Sequence, residues 1–388
     1  MSNNNIITQV DSLPHLIRTQ TSELNERVCS LFSKKLCSQI NHIITTGCGD
    51  SHMAAIATEL AFEELTNIST EPLNALNASR YALATGHNSL TKNTLVIGTS
   101  VSGTVVRTRE ALGIAREQGM ITVAITANPT SPFGTIAQHT LDCTVPDFID
   151  FPGVRSYRTS MIVLYLIAIR IAEAKDIINT AKAHQLRSEI ISTGDAIEAT
   201  IEANRESAIE LARNLTTKNH FVFVGHGPNY ATAMFGAAKL LEAAGTHALA
   251  QDTEEWGHLQ YFTNTDVDTP TFIVSPGSRS HNRTAEMLIP MTRIGRYTIG
   301  ICPSGDHIVG EQCDFFLPVM GNTPEIFSPI VYPTAIELFA DHLASNLGED
   351  YFRGFKDLYD VTDLDPLKGN SIRTSQQATL DEILKNQS

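Results

Sequence analysis

Four hydroxyl-bearing side chains, Thr99, Ser100, Ser102 and Thr104, surround Gly103 in the stretch GTSVSGTVVRT. An apolar run, TLVI, precedes them and a charged amphipathic run, REALGIAREQG, follows. If the first run is a strand and the second a helix, the hydroxyls stand at the strand's C-terminal edge, where open α/β sheets bind ligands. Hydroxyls and helix-start amides together can hold a phosphate. A single hydroxyl here would read as a helix N-cap; four with a glycine favour an anion cradle. Ser51, after GCGD at the end of an earlier apolar run, could reach the same place. Asp50 beside it would repel a phosphate, so it either turns away as a helix cap or faces a cationic part of the ligand.

Further candidates lie in the second half. NYATAMFGAAKLLEAAG, Asn229 to Gly245, is apolar nearly all round, which predicts a buried helix. Only Lys239 and Glu242 interrupt it, at i,i+3 spacing on one face. They are either an ion pair that fixes helix register or a carboxylate base with a lysine beside it. HALAQDTEEWGHLQYF, His247 to Phe262, holds two histidines, two adjacent glutamates and the only tryptophan. No HxxxH or HxH spacing supports a metal there, whereas a histidine near a carboxylate is a proton-transfer pair. In FPGVRSYRTS, Phe151 to Ser160, Arg155 and Arg158 are either surface charges or groups at a helix start near a ligand.

The elements that position these residues follow from hydrophobic patterning. Apolar runs of four to six residues alternate with longer helical patterns, which predicts βαβ units and parallel sheets. In the first half, strands are expected over 42–46, 93–99, 120–126 and 141–146, with a weaker one near 68–71, and helices over 51–65, 104–118 and 159–175. The second half repeats the plan. HFVFVGHGPNY (220–230) matches HIITTGCGDSH (42–52), TPTFIVSPGSRSHNRTAEML (269–288) matches KNTLVIGTSVSGTVVRTREAL (92–112), and RYTIGICPSGD (296–306) matches MITVAITANPTS (120–131). All three offsets are about 177 residues, the mark of a tandem duplication. The polar helical stretch 175–215 is the expected join. The boundaries read as an N-terminal segment 1–27, domains 28–190 and 191–349, and a polar tail 350–388 that either closes over a site or is disordered.

The totals exclude several classes. The chain has 388 residues, 42% hydrophobic and 18% charged, enough for two cored domains. A net charge of −14 argues against a nucleic-acid partner, and an anionic ligand needs a local site working against the overall field. Six scattered cysteines form no CxxC pair. MSNNNIITQVDSLPHL carries no signal-peptide pattern, and the longest apolar run, MIVLYLIAI, is too short to span a bilayer. The expectation is a cytoplasmic protein with reduced thiols and no membrane partner.

Together these residues resemble the double sugar isomerase (SIS) domain family. The likeness is to the isomerase half of glucosamine-6-phosphate synthase and to stand-alone amino-sugar-phosphate deaminases and deglycases. It covers roughly residues 40–370 and rests on the Ser-x-Ser-Gly loop after a strand and on the intervals Lys239–Glu242–His258. The resemblance implies two tandem flavodoxin-like domains, each a parallel sheet flanked by helices. It implies that Glu242 moves a proton between C1 and C2 of an open-chain sugar. Lys239 would stabilise the site, and His258 would help open the ring, reaching the site from the partner subunit of a homodimer. Ser51, Ser100 and Ser102, with Thr104, would bind the sugar phosphate, and Val154 and Ser156 would line the sugar pocket. Such proton transfer needs neither a cofactor nor a metal.

This chain also departs from the family pattern. Val105 stands where a threonine is usual and Val101 where a glutamine is, while the family's C-terminal lysine has only Lys368 and Arg373 as nearby candidates. The sequence holds no counterpart of the glutaminase domain that would supply ammonia. The expected activity is therefore an amino-sugar 6-phosphate deaminase, isomerase or deglycase. The alternatives are a non-catalytic sugar-phosphate-binding regulator and a lyase or dehydratase acting on an unusual sugar.

Overall fold

In the computed structural model, residues 6–84, 90, 92–146, 153–263, 267–277, 279–349 and 377–385 are described. The apolar runs of the first half become five parallel strands, β1 (His42–Gly47), β2 (Thr70–Asn74), β3 (Thr94–Thr99), β4 (Ile121–Thr126) and β5 (His139–Asp142), in the order β2-β1-β3-β4-β5. Every residue of β3 and β4 is buried, as expected for central strands of a sheet flanked by helices. Full burial of Leu95, Val96 and Ile97 contributes roughly 1.5–3 kcal/mol per side chain. A Val96→Asp change would put an unpaired charge in the middle of the sheet.

The second half builds β6 (His220–Gly225), β7 (His247–Asp252), β8 (Pro270–Val274), β9 (Tyr297–Ile301) and β10 (Phe315–Phe316), ordered β10-β9-β8-β6-β7. Relabelled from its first strand, this is the same order as the first sheet, so the duplication read from sequence is a duplication of topology. The agreement reaches the backbone torsions. The helices Asp50–Thr66 and Pro228–Ala244 each have 17 residues, and each starts at a glycine N-cap in a conformation closed to other residues: Gly49 at φ 55°, ψ −129° and Gly227 at φ 51°, ψ −134°.

The chain divides into two compact units. One consists of Thr19–Asp147, Ser156–Ser188 and Gly354–Ser388 and holds the first sheet; the other consists of Met1–Arg18, Phe148–Arg155 and Glu189–Arg353 and holds the second. The helix Thr180–Asn214 occupies the polar stretch expected to join the repeats.

Several elements differ from the sequence expectation for identifiable reasons. The fifth strand stops at Asp142 because the Asp142 carboxylate accepts from the Thr144 amide (2.8 Å) and turns the chain. β2 extends to Asn74, whose side chain caps the next turn through the Asn77 amide (2.9 Å). The third expected helix begins at Val154 rather than 159. A 26-residue helix, Ile6–Leu31, fills the N-terminal segment. Its signal was the buried series Ile6, Val10, Leu13 and Ile17, masked in sequence by Pro14 inside the helix. Among the described residues, no helix is long and apolar enough to cross a membrane.

Candidate active site

Parallel pairing of β1 with β3 (Thr46 opposite Gly98) puts the Cys48–Ser51 loop and the Ser100–Val105 loop at one edge of the first sheet. In this strand order the chain direction switches between these two strands, which opens a crevice there. The Ser100 amide donates to the Ile125 carbonyl (3.0 Å), and the Gly103 amide donates back to the Ser100 carbonyl (3.0 Å) to close a tight turn. Gly103 has φ 70°, and a Cβ there would lie 2.4 Å from Ser131 Oγ, so only glycine fits.

The loop hydroxyls are not spent on capping. The N-cap of the helix Val106–Glu117 is Val105, and no side chain caps it. Ser102 Oγ and Thr104 Oγ1 share a hydrogen bond (2.8 Å) on the exposed side of the loop. Ser100 is 2% exposed, and its Oγ has no hydrogen-bond partner. A buried hydroxyl without a partner costs folding free energy. A ligand oxygen that accepted from it would remove that cost.

Ser51 is half-buried in the first turn of the Asp50–Thr66 helix. Thr108 Oγ1 donates to Cys48 Sγ (3.8 Å), which ties the Ser51 loop to the helix after the hydroxyl loop. Asp50 is the first helical residue rather than the cap, a position where the helix dipole favours a carboxylate. The neighbouring His52 escaped the sequence reading, since no spacing marked it. Burial pushes its pKa down, and its Nδ1 is buried without a partner.

Of the residues in the fourth stretch, Val154 is fully buried and Ser156 is half-buried, its carbonyl accepting from Ser160 Oγ (2.8 Å). Arg158 is not a surface charge: it is fully buried, with its guanidinium 5.5 Å from the Tyr157 ring centroid. Arg155 donates to Ser12 Oγ (2.8 Å), and burial pushes its pKa down. Phe151, Lys368 and Arg373 lie outside the described residues.

The second unit brings Lys239 and Glu242 together. Both stand on the helix Pro228–Ala244, which packs against β6, β7 and the helix Pro333–Leu347. Lys239 is fully buried, its Nζ 4.7 Å from the Phe235 ring centroid, and it donates to Glu242 Oε2 at 2.5 Å. Glu242 keeps 28% of its side-chain surface exposed. The ammonium is thus locked in the protein, and it holds a carboxylate that solvent and ligand can reach.

The His247–Phe262 stretch is split by the fold. His247 opens β7 and stacks on His220 (5.4 Å between centroids), at the strands' N-terminal ends. Asp252 caps the short helix Thr253–His258 through the Glu254 amide (2.8 Å), and Trp256 is buried. His258 ends that helix with 66% of its side chain exposed, and its imidazole pairs with Glu254 (3.4 Å), not with Glu242. Glu254 is also gripped by Arg283 (2.7 and 2.8 Å), whose hydrogen bonds hold its carboxyl below the usual range.

The duplication supplies an internal control. Ser275 follows β8 as Ser100 follows β3, and its amide donates to Ile301 (3.1 Å) as that of Ser100 does to Ile125. Yet Ser275 Oγ is already bonded to His281 Nδ1 (3.1 Å), and His281 Nε2 is held by Asp306 (3.2 Å). The hydroxyl at this position is satisfied in the second repeat and open in the first.

Comparison with known proteins agrees with this architecture. The sequence profile of the SIS domain matches residues 36–170 and 214–335. The glutamine–fructose-6-phosphate aminotransferase (isomerizing) of Gloeobacter violaceus is 27% identical over 318 residues, covering 82% of this chain and 51% of that protein. The enzyme of the same name from Escherichia coli is 24% identical over 320 residues, covering 81% and 51%. The chain thus spans about half the length of these curated relatives. Among solved structures, the C-terminal domain of glucosamine-fructose-6-phosphate aminotransferase from Francisella tularensis superposes with a TM-score of 0.77 at 18% identity, covering 90% of this chain and 98% of that one. A glucosamine-6-phosphate deaminase from Thermotoga maritima gives 0.62 at 17% identity, covering 87% and 96%.

Proposed function

The chain belongs to the SIS domain family, and from that premise we propose that it is an aldose–ketose isomerase-type enzyme acting on a sugar phosphate, specifically an amino-sugar 6-phosphate deaminase, isomerase or deglycase. The observation that carries this reading is the Lys239–Glu242 pair, a fully buried ammonium 2.5 Å from a carboxylate that remains accessible. A carboxylate fixed in orientation is what a shuttle between adjacent carbons requires. Glu242 takes the proton from one of C1 and C2 of the open-chain sugar and returns it to the other, so the carbonyl moves with no net change in oxidation state. On an amino sugar the product of this shift is an imine, and water releases it as ammonia and a ketose phosphate. Lys239 acts through Glu242.

The phosphate is assigned to Ser100, Ser102, Thr104 and Ser51, and the buried, unpartnered hydroxyl of Ser100 supports that assignment. Val154 and Ser156 are assigned to the sugar. His258 is assigned to ring opening, supplied to the site of a second copy in a homodimer; its exposure and its lack of a hydrogen bond to Glu242 support a role across an interface. Six cysteines with no disulfide suit a reducing, cytoplasmic setting.

A non-catalytic sugar-phosphate sensor is the second reading. It is favoured by Val105, which puts an apolar side chain at the start of the loop helix. One experiment separates the two. The protein is incubated with a panel of sugar phosphates and amino-sugar phosphates, and the products are read by mass spectrometry. Conversion of glucosamine 6-phosphate and water to fructose 6-phosphate and ammonia is the expected result. Thermal stabilisation by these ligands without turnover of any would establish the sensor, and a product lighter by one water would establish the dehydratase.

A further inference from the structure

His258 is exposed at the end of the short helix Thr253–His258, yet both its backbone and its ring are tied to the longer helix His281–Arg293. The backbone tie is Trp256, fully buried in an apolar cluster with Met287, Leu288 and Met291 of that longer helix. Gly257 lets the two helices approach, since a Cβ there would come 2.4 Å from Met287 Cε. The ring tie runs through Glu254. It stands four residues before His258, on the same helix face, with Oε1 3.4 Å from His258 Nε2. Arg283 holds Glu254 as a fork, Nε donating to Oε2 (2.7 Å) and Nη2 to Oε1 (2.8 Å). The guanidinium's third nitrogen, Nη1, donates to Glu286 (2.6 Å), so the fork is itself fixed from its own helix.

Exposed ion pairs contribute little to stability, but a two-pronged guanidinium fixes a carboxylate in one orientation. That orientation decides the state of the imidazole. An ionised carboxylate only accepts, so His258 Nε2 carries the proton, and in the neutral ring the lone pair is on Nδ1. Opening a pyranose needs such a nitrogen. The C1 hydroxyl proton passes to Nδ1 as the C1 carbonyl forms, the C1–O5 bond breaks, and O5 takes the proton from Nδ1. The imidazole ends as it began, and no proton is gained or lost overall.

We propose that Glu254 and Arg283 form a clamp that readies His258 for ring opening: Glu254 fixes the imidazole's tautomer and direction, and Arg283 fixes Glu254. Both are positioning residues that act through His258. The inference rests on the reading of His258 as the ring-opening group.

The test is steady-state kinetics on the full chain with glucosamine 6-phosphate carrying either protium or deuterium at C2. Arg283→Met removes the fork. Glu254→Gln keeps the side chain's shape, but its amide can also donate to the imidazole and so releases the tautomer. Each is expected to lower kcat roughly tenfold with KM nearly unchanged, a part of the 10²–10⁴-fold that positioned proton transfer supplies. In both variants the deuterium isotope effect on kcat should lie close to unity, because opening of the ring, and not removal of the C2 proton by Glu242, then limits turnover. A loss of packing that reached Glu242 would instead give an isotope effect well above unity, and that result overturns the clamp. Unchanged kcat in either variant also overturns it, while an inactive His258→Ala protein leaves the reading of His258 standing. A fully active His258→Ala protein removes that reading, and the clamp with it.

Discussion

Lys239 and Glu242 stand three residues apart on one helix and meet at 2.5 Å, yet only the carboxylate reaches the surface. A pair with that asymmetry differs from an ordinary surface ion pair, where both ends are solvated and the interaction contributes little. Replacing Glu242 by Gln keeps the shape and an acceptor oxygen for Lys239 but removes the base. Turnover is expected to fall by roughly 10²–10⁴-fold while the fold persists. Replacing Lys239 by Met keeps the packing on Phe235 and frees Glu242 to reorient, so activity should fall with a smaller change in stability than Lys239→Ala, which also opens a cavity. Steady-state kinetics with thermal melts check both, and a fully active Glu242→Gln protein would sink the mechanism.

Ser100 and Ser275 occupy equivalent positions but differ in whether their hydroxyls have partners. Ser100→Ala is therefore expected to leave stability within about 0.5 kcal/mol of the parent while weakening sugar-phosphate binding roughly tenfold. Ser275→Ala should do the reverse: it loses the bond to His281, costs about 1 kcal/mol, and leaves ligand affinity alone. Denaturant melts and titration calorimetry on the two variants decide the matter. Equal behaviour of the pair would mean that the first repeat's loop has no special role.

Asp341, buried in the helix Pro333–Leu347, carries a predictable pH signature. Burial pushes its pKa up from the usual carboxylate value of 3.8 to about 6. Between those values the folded chain binds more protons than the unfolded chain, so stability falls as pH rises from about 4 to about 6 and stays lower above. Asp341→Asn cannot ionise. It should flatten the dependence of melting temperature on pH across that window and stabilise the protein at pH 7, by at most on the order of 2 kcal/mol. If the variant melts with the same pH profile as the parent, the carboxyl is already solvated when ionised.

The assignment of His258 to a second copy's site can be tested by mixing. Glu242→Gln and His258→Ala proteins should each be nearly inactive alone. Co-refolded, they should regain about a quarter of the parent activity if the histidine acts across a homodimer, because hybrid dimers then contain one site with both intact residues. Regain of nothing, with hybrids verified by native mass spectrometry, would place His258 and Glu242 in the same chain's site or remove His258 from catalysis.

Much of this was legible without coordinates because it depends on local pattern. The alternation of apolar strands with amphipathic helices, the two parallel sheets and the duplication follow from periodicity and from glycines that only a turn explains, such as Gly49 and Gly227. So does the partnership of Lys239 with Glu242, since three residues on a helix is a fixed geometry. The helix Ile6–Leu31 was hidden, because Pro14 breaks the rule that most helices obey and tertiary burial of Ile6, Val10 and Leu13 outweighs it. The separation of His247 from His258 was also invisible, since a strand carries residues several apart to opposite ends of the sheet.

The sequence by itself determined which side chains were available and, through helix and strand periods, which of them share a local face. Only the tertiary structure decided which were already satisfied. Ser100 and Ser275 are both serines after a central strand, but His281, itself held by Asp306, binds the hydroxyl of Ser275, while that of Ser100 has no partner among the described residues. Arg155 and Arg158 are both arginines in the first turns of one helix, but Arg158 is buried whole and Arg155 reaches Ser12. The 377–385 segment, featureless as a string of residues, is held by Glu110, far away in the chain. Hydrogen bonds and burial between distant residues are set by how the elements pack, and no local period encodes them.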